Sequence, residues 1–205
     1  MQTINTVFYI AILLMSVVIH EVSHGFMAEY FGDKTARFAG RLTLNPLKHL
    51  DLFGSIILPV VLYLSSGFAF GWAKPVPYNP DNLSNRKWGT IAVASAGVLA
   101  NFFIAIIFGL IIRFSQNYNL SADFYFITSS IVIINLALAV FNLIPIPPLD
   151  GSKILFSLLP RSLYSGMEFI EQYGFFVLII FIVYFSDYLY PILVFLFRLT
   201  TGLAI

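Results

Sequence analysis

"VVIHEVSHGFMAEY", residues Val17–Tyr30, sets two histidines and two glutamates directly behind an apolar run that begins near residue 4. Ionisable groups inside a membrane span are costly, about 2.5–3.5 kcal/mol each on insertion scales. Three of them within five residues, His20, Glu21 and His24, therefore point to a shared task. The stretch fits H-E-x-x-H: on a helix His20 and His24 lie one turn apart on the same face, with Glu21 about 100° round from His20. Both imidazoles can then reach one ion. A catalytic Zn2+ takes three protein ligands and keeps a fourth position for water, which leaves Glu21 to accept that water's proton. The competing reading is a helix end already at the interface, where such groups are cheap. Phe26, Met27, Tyr30 and Phe31 continue the apolar character and argue against it.

The whole chain supports a lipid setting. Of 205 residues, 59% are hydrophobic and 10% charged, far from the roughly 25% charged average of soluble domains. A net charge of +1 without a basic cluster excludes a nucleic-acid footprint. Cysteine is absent, so a metal site must be built from imidazole and carboxylate. Met1 to Asn5 lacks a basic n-region, and the run that follows leads into the histidines rather than a cleavage site; it reads as a retained first span.

Hydropathy predicts spans near 4–30, 88–113, 124–144, 174–186 and 188–204, the last two forming a tight hairpin. A further apolar stretch, 52–70, contains Pro59 and ends in Ser65-Ser66-Gly67. Charge decides how it is read. Lys34, Arg37, Arg41 and Lys48 precede it, Lys74, Arg86 and Lys87 follow it, Lys153 and Arg161 come after residue 144, and Ser115 to Asp123 has no basic residue. If 52–70 enters and returns, all nine basic residues share one side, as the positive-inside rule prefers. The N-terminus is then outside and the basic loops are cytoplasmic. The alternative is a sixth ordinary span.

"RFAGRLTLN" (37–45) alternates and stops at Pro46, and "GWAKPVPYNP" (71–80) has prolines that forbid helix; both are expected as short edge strands. The aromatics from Phe68 to Trp72 read as membrane packing or interfacial belt. "NLIPIPPLD" (142–150) is a third break, of a kind tolerated at membrane depth only where it is buried or lines a wet cavity. The expected fold is an all-α polytopic membrane protein, one domain over 1–205, with five or six transmembrane helices, short membrane-associated β-strands and a re-entrant segment.

A third metal ligand must come from Glu29, His49, Asp150 or another carboxylate. Glu29 lies five residues past His24 and points away from both histidines. His49 also reads as an interfacial polar residue. Asp150 ends the proline-broken segment, and with 52–70 re-entrant the spans 88–113 and 124–144 lead away from the histidines and back to them. Its competing role is a helix N-cap.

His20-Glu21-x-x-His24 on a membrane helix, with "NLIPIPPLDG" far downstream, resembles the site-2 protease family of intramembrane zinc metalloproteases over nearly the whole chain. "RLTLNPLKHLD" and "FGWAKPVPYNP" are similar to short members without PDZ or CBS domains. The resemblance implies one Zn2+ held by His20, His24 and Asp150, with Glu21 as general base. It also implies cleavage of peptide bonds within or near transmembrane segments of substrate proteins, in a multi-pass protein of the cell membrane with its site toward the cytoplasm. Ala96, Gly97 and Asn101 resemble the family's A-G-P-x-x-N pattern, with Val98 where proline is usual. Asn101 and Asn142 could stabilise an oxyanion or contact substrate; the competing role is interhelical glue. An extended substrate would add to a strand edge in 37–45 or 71–80. The rival function is a non-proteolytic zinc-binding transporter or scaffold, which has no need of a base at Glu21. An ion-coupled transporter would show inverted repeats, and none is visible.

Overall fold

The computed structural model describes residues 2–66, 71–160 and 164–203, and all regular structure among them is helical. Helix α1 (Gln2–Tyr30) carries the apolar run and the histidines. A short α2 (Thr35–Phe38), a 3-10 turn at Pro46–Lys48 and a wide π-helical turn at Leu52–Ile57 lead into α3 (Leu58–Ser66). After the irregular stretch 71–79 and a 3-10 turn at Pro80–Asn82 come α4 (Arg86–Ser115), α5 (Ala122–Asn142), α6 (Asp150–Leu158), α7 (Tyr164–Phe185) and α8 (Leu189–Thr201).

Polar side chains start the two long inner helices. Asn85 accepts from the Trp88 amide at 3.0 Å and Ser121 from the Phe124 amide at 3.2 Å, each satisfying a donor that helix geometry leaves unpaired. Helix α4 is the hub: α1, α5, α6 and α8 all pack against it. Small residues permit this. A Cβ on Gly109 would sit 2.7 Å from Thr200 Cβ, so α8 approaches α4 as closely as its backbone allows. Ala105, Ile112, Val132, Leu136 and Phe197 fill the space between α4, α5 and α8.

Four helical runs among the described residues are long and apolar enough to cross a membrane: Asn5–Tyr30, Arg86–Ser115, Ala122–Asn142 and Ile170–Thr201. Their outward faces carry large apolar side chains such as Phe103, Phe176, Val183 and Phe195, as a lipid solvent requires. The chain is a multi-pass membrane protein.

Two expectations are corrected. The hairpin over 174–204 is a single run in which α7 passes through a 3-10 turn, Ser186–Tyr188, into α8. Pro191 explains the break, because it lacks an N–H and its ring crowds the carbonyl four residues back, at Asp187; the helix restarts so that Pro191 falls in a first turn. There are therefore four candidate spans among the described residues rather than five or six. Among the described residues, Leu52–Ser66 is six residues of π-helix and nine of α-helix. Pro59 removes the bond to Ser55, which the wide turn accommodates. Residues 67–70 and Arg161 lie outside the described residues. Second, neither 37–45 nor 71–80 is a strand. In 71–79 the amides go to scattered partners instead of a ladder: Trp72 to the Gly54 carbonyl, Lys74 to the His49 carbonyl, Val76 to Glu21 and Asn79 to Asp33.

Asp33, fully buried just beyond α1, fastens that stretch. It accepts from the Thr35 amide (3.1 Å) and hydroxyl, the Asn79 amide (2.7 Å) and the Asn82 side chain (3.0 Å). Burial pushes its carboxyl up, but these bonds outweigh that and hold it below its ordinary 3.8. A depressed folded-state value adds stability above the unfolded pKa, lost as pH falls through the folded value. Asp33→Asn should lower stability at neutral pH by about 1–3 kcal/mol. It should also flatten the fall in melting temperature below about pH 4; identical acid profiles for the two proteins would refute the assignment.

Candidate active site

His20 and His24 are buried, 6% and 8% exposed, with rings edge to face at 4.6 Å. Their seat is a stripe of α4 at four-residue spacing, Val93, Gly97 and Asn101, which helical periodicity puts on one face. A Cβ on Gly97 would lie 2.6 Å from His20 Cε1 and His24 Nε2, so only glycine lets α4 approach the imidazoles this closely. One turn to either side, α4 grips the outer nitrogens. His24 Nδ1 is 2.6 Å from the Val93 carbonyl and His20 Nδ1 is 2.7 Å from Asn101 Oδ1.

The inner nitrogens converge on Asp150. Its Oδ2 lies 3.1 Å from both His20 Nε2 and His24 Nε2. The chain brings it there through a tight series of turns after α5, including a cis Pro147-Pro148 bond. Gly151 then packs against the Leu143 carbonyl, where a side chain would clash. Leu149 is the N-cap of α6 and Asp150 its first residue, so the carboxylate is not engaged in capping. Its other oxygen meets Lys153 Nζ at 3.3 Å, one turn along α6.

Glu21 is half-buried beside the pair, and its Oε2 accepts from the Val76 amide at 2.8 Å. His20, Glu21 and His24 offer atoms within 4.8 Å of one another. Asp150 is the better third donor, because its oxygen is closer to both imidazoles and the Glu21 oxygen is held elsewhere. These groups open onto a cavity of about 120 Å3, room for several waters. Asn142, Pro75, Val76, Tyr78 and Lys153 form its opposite wall. Burial pushes the Tyr78 hydroxyl up, which keeps it protonated.

The donor set fits zinc. The Val93 carbonyl can only accept, so His24 Nδ1 carries the proton and Nε2 presents a lone pair toward a carboxylate oxygen. Acceptors facing one another at 3.1 Å call for a cation between them. Two imidazoles and one carboxylate form a three-ligand catalytic set.

Other candidates lie elsewhere. Glu29 pairs with Arg37, whose Nη2 is 2.7 Å from Oε2. His49 is buried, donates Nε2–H to the Thr43 carbonyl at 2.9 Å, and shapes the loop under Lys74. Asn101 is fully buried behind His20 and does not line the cavity; its Nδ2 donates to Asn135 Oδ1 at 2.8 Å, so it is not placed to meet an oxyanion.

Four participants escaped the sequence. Lys153 was findable, being three residues after Asp150 on a helix. Val76 also left a trace: Pro75 and Pro77 have no N–H, so it is the one donor in that triplet. Arg41, whose Nη2 donates to the Lys74 carbonyl at 2.6 Å, and Asn135 left none.

The model of peptidase family M50 matches residues 8–132 and 116–185. YwhC of Bacillus subtilis is 37% identical over 189 residues, covering 88% of this chain and 83% of its own. Rip2 of Mycolicibacterium smegmatis is 30% identical over 83% of this chain and 64% of its own. MJ0392 of Methanocaldococcus jannaschii is 26% identical over 77% of this chain and 37% of its own. All three carry zinc metalloprotease names. No solved structure matches. A histidine pair on an apolar helix, a returning aspartate and these relatives lead to one conclusion: the chain belongs to peptidase family M50, the site-2 family of zinc metalloproteases.

Proposed function

We propose that this protein is a single-domain intramembrane endopeptidase that cleaves protein substrates within or near their membrane-spanning segments. The observation that carries this reading is the convergence of His20 Nε2, His24 Nε2 and Asp150 Oδ2 beside Glu21, in a cavity inside a bundle whose outer surface is apolar. A transporter or scaffold would use such a ligand set too, but would have no need of a further carboxylate, Glu21, held beside it as a base.

His20, His24 and Asp150 hold the ion. Zinc bound there supplies Lewis acidity toward a carbonyl oxygen and toward water. Glu21 takes the proton of the attacking water and returns it to the leaving amine. The Val76 amide pins one oxygen of Glu21 and so turns the other toward the cavity. Asn142 lines that cavity, and with one Nδ2 hydrogen directed to the Leu138 carbonyl at 2.9 Å, its second can meet the developing oxyanion. Asn101 serves by holding His20.

A helical substrate hides its carbonyls in intrahelical bonds, so it must unwind to react. Pairing with 71–80 is restricted, since the Trp72, Lys74 and Val76 amides face inward and Pro75 and Pro77 have none. A cytoplasmic site is supported by the basic loops, which share one side if 52–70 enters and leaves the membrane on that same side.

Glu21→Gln should keep zinc at wild-type stoichiometry and lower cleavage of a membrane-spanning reporter by about 10²–10⁴-fold. Undiminished turnover would remove Glu21 as base. His20→Ala and Asp150→Ala should lose zinc by metal analysis, and full occupancy in either would dismiss that ligand. Asn142→Ala should retain zinc and reduce kcat about 10²–10³-fold; a change confined to KM would make it a substrate contact instead. Because the chain lacks cysteine, single cysteines at Ser65 and Asn79 can be labelled without background. Both should react from the cytoplasmic side, and opposite sidedness would sink the re-entrant arrangement.

A further inference from the structure

His24 and His20 are oriented by different means. His24 faces a main-chain carbonyl, which cannot exchange its oxygen for a donor. His20 faces the side-chain amide of Asn101, which can turn over and present nitrogen instead. With the amide reversed, His20 would move its proton to Nε2 and donate it to Asp150 Oδ2, an attractive charge-assisted bond that removes the lone pair a metal needs. Something must prevent that reversal.

The preventing element is a second buried amide. The Ile131 carbonyl accepts only, so Asn135 must direct Nδ2 to it, at 2.9 Å; the same nitrogen is 2.9 Å from Ser16 Oγ. Asn135 Oδ1 is then left facing Asn101 Nδ2 at 2.8 Å. Asn101 must turn Oδ1 to His20, and His20 must donate from Nδ1 at 2.7 Å. Both amides are fully buried, so water offers no substitute partner for either orientation. The polarity of one α5 carbonyl is thereby transmitted through two amides to the imidazole.

We infer that Asn135 is a positioning residue: through Asn101 it fixes the tautomer of His20 that leaves Nε2 bare for metal, though it touches none of the three ligands. This rests on the metal-site reading above. Asn101 then has its task set by its neighbour, and the Ile131–Asn135–Asn101–His20 order forms a one-way relay.

The test is zinc affinity of the detergent-solubilised full chain, measured by competition with a chelating dye. Asn135→Leu should bind zinc about 10–100-fold more weakly, the usual penalty for losing an outer-shell partner. Asn101→Asp belongs in that background rather than alone, where its second oxygen would face the accepting Oδ1 of Asn135; without that oxygen opposite, a carboxylate accepts from His20 whichever way it turns. The Asn101→Asp/Asn135→Leu double variant should therefore recover the affinity lost in Asn135→Leu alone. A residue that merely packs the bundle would give no such rescue, so a double variant as weak as Asn135→Leu overturns the relay, as does wild-type affinity in Asn135→Leu. If Asn135→Leu does not fold, nitrogen NMR of the zinc-free wild type decides: the chain has three histidines, and His20 protonated at Nε2 rather than Nδ1 would refute the proposal. His20→Ala and Asp150→Ala separate the two levels. Wild-type zinc binding in both defeats the metal site itself, whereas loss in both with none in Asn135→Leu defeats only the relay.

Discussion

The structure depends on how closely α4 can approach α1. Two imidazoles sit inside a membrane bundle, where every unpaired polar group is costly, and each needs a partner for the nitrogen that does not face the cavity. Gly97 supplies the room, and Val93 and Asn101, one turn away on either side, supply the partners. Had α4 carried a side chain at 97, the helices would separate by the width of a methyl group. Both outer hydrogen bonds would lengthen together, because they sit on one rigid helix face. The small residues of α4 thus serve packing and chemistry at once: Gly109 admits α8 as Gly97 admits the histidines.

Around that seam the rest of the chain is a delivery problem. Asp150 is 130 residues from His20 in sequence and must arrive with its carboxylate uncommitted. The turns after α5 do this by ending one helix and starting another with Leu149, not Asp150, as the N-cap. Lys153 occupies one oxygen, which leaves the other for the imidazoles. On the far wall the irregular stretch 71–79 closes the cavity, and its shape is set by Arg41, His49 and Asp33 through main-chain bonds. Prolines there restrict the backbone and withhold donors, so the few remaining amides go to specific acceptors.

How much of this was legible follows from how local each signal is. His20, Glu21 and His24 are one helical turn and could be read directly; the long apolar runs that form α1, α4 and α5 were equally plain. That Asp150 lies beside the histidines follows from the parity of the spans once 52–70 is read as re-entrant. What failed required distant partners. Alternation in 37–45 and prolines in 71–80 suggested strands, yet a strand exists only where a ladder exists, and these amides go singly to Gly54, His49, Glu21 and Asp33. The break near Pro191 resembled a hairpin turn because sequence shows that a helix is interrupted but not whether the chain then reverses. Asn101 stands out in the sequence but its target does not, since the direction of its amide is decided by Asn135 on another helix.

The bond between Glu21 and Val76 shows why an irregular segment belongs in such a site. A glutamate side chain loses about 1.5–2 kcal/mol of rotamer entropy when fixed, and on a helix it has several ways to turn toward water. A hydrogen bond from an amide to a charged carboxylate contributes about 1.5–3 kcal/mol, enough to offset that loss and hold one oxygen still. A side-chain donor would bring rotamers of its own and leave part of the freedom in place. A main-chain amide flanked by two prolines, anchored one residue earlier by Arg41 on the Pro75 and Lys74 carbonyls, has almost none to add. Glu21 is therefore held in place by backbone that sequence patterning marks only as proline-rich.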